Sequence, residues 1–230
     1  MKRVKGLVFS SILFEYTTNV NSIGDVVDLL RQNSYNETTG FGFSSIILDN
    51  NHLVATLLKR NNTFIQEYDV NSSQLVRRQI SVFNTVKFEI DEELNLLTVF
   101  GASSQLNALK AIFRNIRELK FVSDPIIIDS DELCQRLKDE GLEPKVKQLT
   151  IRSFNYNNGV LGRFSGEVSS QNVAEELMKE YTNNIVKLTF QITINKENIL
   201  VQLHPNGSVK ILCDEEDFEY YLNYLKQIIF

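Results

Sequence analysis

Apolar positions along this chain follow two rhythms. In some stretches they recur every third or fourth residue, and in most of the others every second. The first rhythm predicts amphipathic helices and the second half-buried strands. Ile23, Val26, Val27 and Leu30 share a face and predict a helix over Ile23–Gln32, which Asn21 or Ser22 can cap and Asp25 can favour from its first turn. Leu106, Leu109, Ile112, Phe113 and Ile116 predict a helix over Ser104–Leu119. A short helix begins at Asp129, which has capping-box spacing to Glu132, and stops at Gly141. Val173, Leu177 and Tyr181 mark a helix over Gln171–Tyr181, capped by Ser169 or Ser170. Phe218, Tyr221, Leu222, Leu225 and Ile228 mark a last one over Glu215–Ile229.

Strand-like runs fill the rest. The first covers Lys5–Tyr16, and a loop is expected from Asn33 to Gly42. Three hairpins then follow: Phe43–Leu48 with Leu53–Leu58, Thr63–Tyr68 with Gln74–Phe83, and Thr85–Ile90 with Leu94–Phe100. Their turns are Asp49-Asn50-Asn51, Asp69 to Ser73 and Asp91-Glu92-Glu93, rich in residues that tolerate left-handed backbone. Later strands are Gln148–Tyr156 and Val160–Val168 across Asn157-Asn158-Gly159, then Val186–Ile194, Ile199–Leu203 and Val209–Leu212, with Pro205-Asn206-Gly207 joining the last two.

Thr85–Leu119 and Leu188–Phe230 read alike: two strand-like runs across a polar turn, a polar break, then an amphipathic helix. The expected fold is therefore α+β with two similar halves. Each half is a curved antiparallel sheet with a helix after its first strands and a closing C-terminal helix. The N-terminal half takes residues 1–120, a connector with a short helix takes 121–145, and the C-terminal half takes 146–230. The suggested duplication rests on the order of elements, because residue identity between the halves is low.

Composition narrows the class without naming an activity. At 230 residues the chain can bury one large core or two small ones, and three prolines and ten glycines argue against long disordered linkers. The basic start Met1-Lys2-Arg3-Val4-Lys5 precedes an apolar stretch, Gly6–Phe14, that Ser10 and Ser11 interrupt, so it reads as a strand and not as a signal peptide. No run approaches the ~18 apolar residues a membrane span needs. A soluble, cytoplasmic protein without a membrane partner is expected, its two cysteines, Cys134 and Cys213, reduced.

Candidate chemistry is sparse. His52 and His204 are far apart and the cysteines are dispersed, so no zinc-ligand spacing exists. Neither a Gly-x-Ser-x-Gly elbow nor a phosphate-binding glycine loop is present. Cys213 precedes the last helix, whose dipole would lower its pKa, but Asp214, Glu215, Glu216 and Asp217 oppose that. Carboxylates gather at Asp91-Glu92-Glu93, at Asp129, Asp131 and Glu132, and at Asp214 to Asp217. A metal-dependent nuclease or related hydrolase using such clusters is the alternative reading. A turn and two helix N-termini explain the same acids without catalysis. No cofactor, no metal and no catalytic residue is expected.

Two surfaces stand out. Lys110, Arg114 and Arg117 are spaced i, i+4, i+7 with Lys120 beyond them, and Arg77 and Arg78 extend the positive charge. Contact with nucleic-acid backbone or an acidic partner fits this stripe, as does a merely solvated helix face. Tyr220, Tyr224 and Phe230 fit a protein-docking edge or packing within the fold. The expected function is a non-catalytic interaction or adaptor subunit of an intracellular multi-protein assembly. Its partner would be a protein or a second copy, with nucleic acid as a further partner class through the basic helix face.

Overall fold

The computed structural model describes residues 2–15, 20–156 and 159–230, the side chains of 2–4 and 156 aside. The expected turn at Asn157 and Asn158, the strand end at Tyr16 and the side chains of Lys2 and Arg3 lie outside the described residues. Elements run β1 (Lys2–Ser11), β2 (Leu13–Phe14), α1 (Ile23–Gln32), β3 (Phe41–Asp49), β4 (His52–Asp69), β5 (Gln74–Asp91), β6 (Leu96–Phe100), α2 (Ser103–Asn115) and β7 (Phe121–Val122). They continue as α3 (Ser130–Asp139), β8 (Lys145–Tyr156), β9 (Val160–Glu167), α4 (Gln171–Glu180), β10 (Ile185–Ile194), β11 (Glu197–His204), β12 (Ser208–Asp214) and α5 (Phe218–Ile229). The protein is mixed α+β, and its paired strands of known register are antiparallel.

The chain forms two compact units. One comprises Met1–Ser11, Phe100–Ser103 and Ser123–Phe230, the other Ile12–Val99 and Ser104–Val122. In the first, six strands lie in the order β1-β12-β11-β10-β8-β9. Period-two alternation places Phe190 and Ile192 of β10, Val201 and Leu203 of β11, and Val209 and Ile211 of β12 in its core. The turn before β12 needs glycine at Gly207, whose φ is +80° and whose Cβ would stand 2.8 Å from the Phe9 carbonyl oxygen. α3 starts where Asp129 accepts from the backbone N–H groups of Asp131 and Glu132 at 2.8 and 3.1 Å. α5 buries Phe218, Tyr221, Leu222, Leu225 and Ile228, the stripe its periodicity predicts. α4 differs in part: Tyr181 is buried as expected, but Ala174 and Met178 take the buried positions before it and Val173 stays 46% exposed.

The second unit is built on β3-β4-β5-β6. Ser22 caps α1 through the N–H of Asp25, and Val26, Val27 and Leu30 are buried. The segment after α1 then runs beside β3, Tyr35 donating to the Phe43 carbonyl at 3.1 Å. That approach needs Gly42, since a Cβ there would lie 2.5 Å from the Ser34 carbonyl. α2 packs Leu109 and Phe113 into the core but ends at Asn115, four residues earlier than its periodicity suggests. Ile116 and Leu119 remain buried in the turns that follow.

The largest departure from expectation concerns β4 and β5. Sequence reading divides this region into separate hairpins, with breaks at Lys59–Asn62 and at Asn84. The structure has two unbroken strands of 18 residues each, registered from His52↔Asp91 to Asp69↔Gln74. Leu53–Leu58 therefore pairs with both β3 and the Thr85–Ile90 stretch of β5. The polar run does not break the strand because a ladder needs only backbone donors and acceptors.

Candidate binding interface

Beyond Lys59, where β3 stops pairing, β4 and β5 leave their sheet as a two-stranded arm. At the base, Leu53, Ala55, Leu57, Val86, Phe88 and Ile90 point into the core and are buried. Farther out the same register positions carry Asn61, Thr63, Ile65 and Glu67 against Val82, Ile80, Arg78 and Val76. From Asn62 to Gln79 every residue is exposed except Asp69, which is half-buried. At ~3.4 Å per residue this portion is roughly 25 Å long. Its tip is held by Asp69, which accepts from the Ser72 hydroxyl at 2.8 Å and the Asn71 N–H at 3.0 Å. These bonds hold its carboxyl below the ordinary range.

The two faces of the arm differ. One carries, rung by rung, Arg60 and Phe83, Asn62 and Ser81, Phe64 and Gln79, Gln66 and Arg77, Tyr68 and Leu75. Arg77 lies over the ring of Phe64 at 4.1 Å, and the Ser81 hydroxyl donates to Asn62 at 2.9 Å. At the arm's root Tyr35 meets Phe83 edge-on at 5.6 Å, and Arg60 donates to the Glu37 carbonyl at 2.9 Å. The opposite face carries Ile65, Val76, Asp69 and an exposed ion pair, Arg78 with Glu67 at 3.3 Å.

Arg77 and Arg78 therefore project to opposite faces, as neighbours in a strand must. Lys110 is 8% exposed. Arg114 is exposed in the last turn of α2, while Arg117 and Lys120 are exposed in the turns beyond it. In the other unit the Tyr220 ring is 6.4 Å from that of Tyr224, and its hydroxyl accepts from Asn195 at 3.1 Å. Phe230 rests edge-on against Phe9 at 5.1 Å. The arm's aromatic face escaped sequence reasoning. The signal available was the recurrence of aromatics at Phe64 and Tyr68, four apart on one strand face, with Phe83 on the same face of the partner strand opposite Arg60.

Two of the acidic clusters have a structural role: Asp91 accepts from the Leu94 N–H at 3.0 Å, and Asp129 caps α3. Asp217 stands at the N-cap position of α5 without a side-chain capping bond. Among the described residues no group of three or more His, Cys, Asp or Glu is placed to hold a metal ion. Cys213 lies inside β12 and is 2% exposed. The Cys134 thiol is pushed up to about 12 by burial, with Asp131 adding to the effect. Among the described residues no helix is long and apolar enough to cross a membrane.

His204 borders a cleft of about 430 Å³ shared with Ile128, Asp129, Arg152 and Asn183. Its Nδ1 is 3.0 Å from the Val186 carbonyl, which can only accept, so the proton sits on Nδ1. Nε2 then accepts from the Gln202 amide at 2.9 Å. Burial lowers the pKa of His204 from 6.5, and Lys210 and Lys187 add to the lowering against the opposing Val186 bond. A depressed histidine pKa means the unfolded chain binds the proton first. Its stability contribution should be complete above about pH 6.5 and fall as pH drops through the folded value. The urea midpoint of wild type should therefore decline more between pH 7.5 and 5.5 than that of His204→Gln. Equal declines would remove His204 as a source of acid sensitivity.

No protein-family model matches the chain, and no curated protein matches it.

Proposed function

We propose that this chain is a non-catalytic interaction protein, an adaptor subunit of an intracellular multi-protein assembly, and that the β4–β5 arm is the part that engages its partner. The observation that carries this reading is the exposure of the arm. Phe64, Ile65, Tyr68, Val70, Leu75 and Val76 are all large, apolar and exposed on it. An isolated two-stranded ribbon is marginal in water, and its open edges and apolar surface invite association. Such a surface is retained where a partner covers it. Arg114, Arg117 and Lys120 add an exposed basic group that favours an acidic or nucleic-acid partner.

Excision of the arm tests the proposal. Asn61 and Val82 are register partners, so residues 62–81 can be replaced by an Asn-Gly turn. None of the removed side chains belongs to the core, and the variant should melt cooperatively within about 1 kcal/mol of wild type. Protein and nucleic acid recovered with the intact chain from its native cells should be lost with the armless one. Identical recovery by both proteins would overturn the assignment.

We also read the recurrence of a helix, an antiparallel meander and a closing helix, in α1 to α2 and in α4 to α5, as a duplication. Only one copy of that pattern carries the arm.

A further inference from the structure

We propose that the Phe64 face of the arm binds single-stranded nucleic acid, a step that rests on the arm being the binding element. Aromatic and polar rungs alternate along this face. Phe83, Phe64 and Tyr68 lie on every second rung, and Asn62 with Ser81 and Gln66 with Arg77 fill the rungs between. Phe64, Tyr68 and Phe83 are 52, 58 and 50% exposed, with Arg77 over the Phe64 ring and Tyr35 edge-on to Phe83. Single strands are held by such rings, on which bases stack, together with cations that follow the backbone. Amides on the intervening rungs supply donors and acceptors for base edges.

Charge selects this occupant over a second copy of the chain. The face carries Arg60 and Arg77 and no acid along its outer rungs, in a chain whose net charge is −5. Two such faces brought together would repel, whereas a phosphate backbone neutralises both arginines. The opposite face offers no comparable field, because Glu67 and Asp69 offset Arg78 there. Duplex DNA is disfavoured as well, since its bases are stacked on each other and present no free ring faces.

Fluorescence anisotropy with the full chain and labelled oligo(dT), oligo(U) and a duplex, each of about 12 nucleotides, tests the proposal. The chain should bind both single strands more tightly than the duplex, and the two arms separate DNA from RNA preference. Two phosphate contacts at a slope of about −0.7 each should weaken binding about sevenfold between 50 and 200 mM salt. Phe64→Ala should weaken binding about 5- to 150-fold, the range for losing one stacked base. Arg77→Ala should reduce the salt slope by about 0.7, and Arg78→Ala, on the other face, should change affinity less than twofold. All three sites are exposed, so an unchanged melt checks each variant.

Three results would overturn the proposal: no binding by wild type, equal affinity for the duplex, or insensitivity to Phe64→Ala. Binding lost instead with Arg114→Glu and Arg117→Glu would move nucleic acid to the α2 region. Self-association in sedimentation, abolished by Phe64→Ala without oligonucleotide binding, would give the face to a second copy. If oligonucleotides fail while arm excision still removes native partners, the adaptor reading stands and this inference falls.

Discussion

Phe113→Ala should cost about 3–5 kcal/mol, the range for emptying a buried phenylalanine site. Phe113 is fully buried at the centre of an aromatic cluster in the unit that bears the arm. Its ring centroid is 5.9 Å from Phe43, 5.6 Å from Phe88 and 5.8 Å from Phe121, the last two edge-on. Truncation therefore removes apolar burial and three ring contacts together, each pair worth about 0.5–1.5 kcal/mol beyond its area. Phe88 sits on β5 and Phe43 on β3, both fixed by backbone ladders, so neither can move far to fill the void. Phe113→Leu keeps most of the volume and should cost less than half as much. A domain stable by about 5–15 kcal/mol would survive the first change but with a visibly lower urea midpoint. A shift below about 1 kcal/mol would mean that the cluster collapses around the cavity and that the rings do not hold the arm's root.

The helices α1, α3 and α5 were legible in the sequence because each buries one face of a 3.6-residue period and two start at caps, Ser22 and Asp129, whose side-chain oxygens accept first-turn N–H groups. Tight turns such as Asp49-Asn50-Asn51 were legible through residues that accept left-handed backbone, and Asn50 has φ of 51°. The arm was hidden for the opposite reason. Where both faces of a ribbon meet water no alternation is imposed, so Lys59-Arg60-Asn61-Asn62 resembles a loop although it is paired throughout. The end of α2 was hidden because Ile116 and Leu119 stay buried after the helix stops, which prolongs its apparent period. That error placed Arg117 and Lys120 on a helix face they do not share. The partner of β1 was unreadable too. β1 pairs with β12, Val8 opposite Ser208, and no local pattern specifies a neighbour that distant in sequence. At the candidate site, residue types were visible but their sidedness was not, and Arg77 and Arg78 part company only once the register is known.

Deleting Ile228, Ile229 and Phe230 should lower stability by about 2–4.5 kcal/mol, more than expected for an edge that serves docking alone. Ile228 is 7% exposed, and burying such a side chain is worth about 1.5–3 kcal/mol. Phe230 adds an edge-on pair with Phe9, itself 1% exposed, for about 0.5–1.5 kcal/mol. Arg136 Nη1 also donates to the carbonyls of Ile228 and Ile229 at 3.3 and 3.2 Å, placing a cation at the negative end of α5. Docking by Tyr220, Tyr224 and Phe230 predicts the contrary outcome, an unchanged melt with loss of a partner. Tyr220→Ala separates the two readings, because Tyr220 is 49% exposed and, among the described residues, its loss removes the bond from Asn195 and ring contacts with Tyr221 and Tyr224. Chemical denaturation of both variants, with partner recovery from native cells, decides the matter. A destabilised deletion variant and a fully competent Tyr220→Ala would make this edge part of the core and remove it as a docking site. A stable deletion variant that loses partners would make it a second docking site.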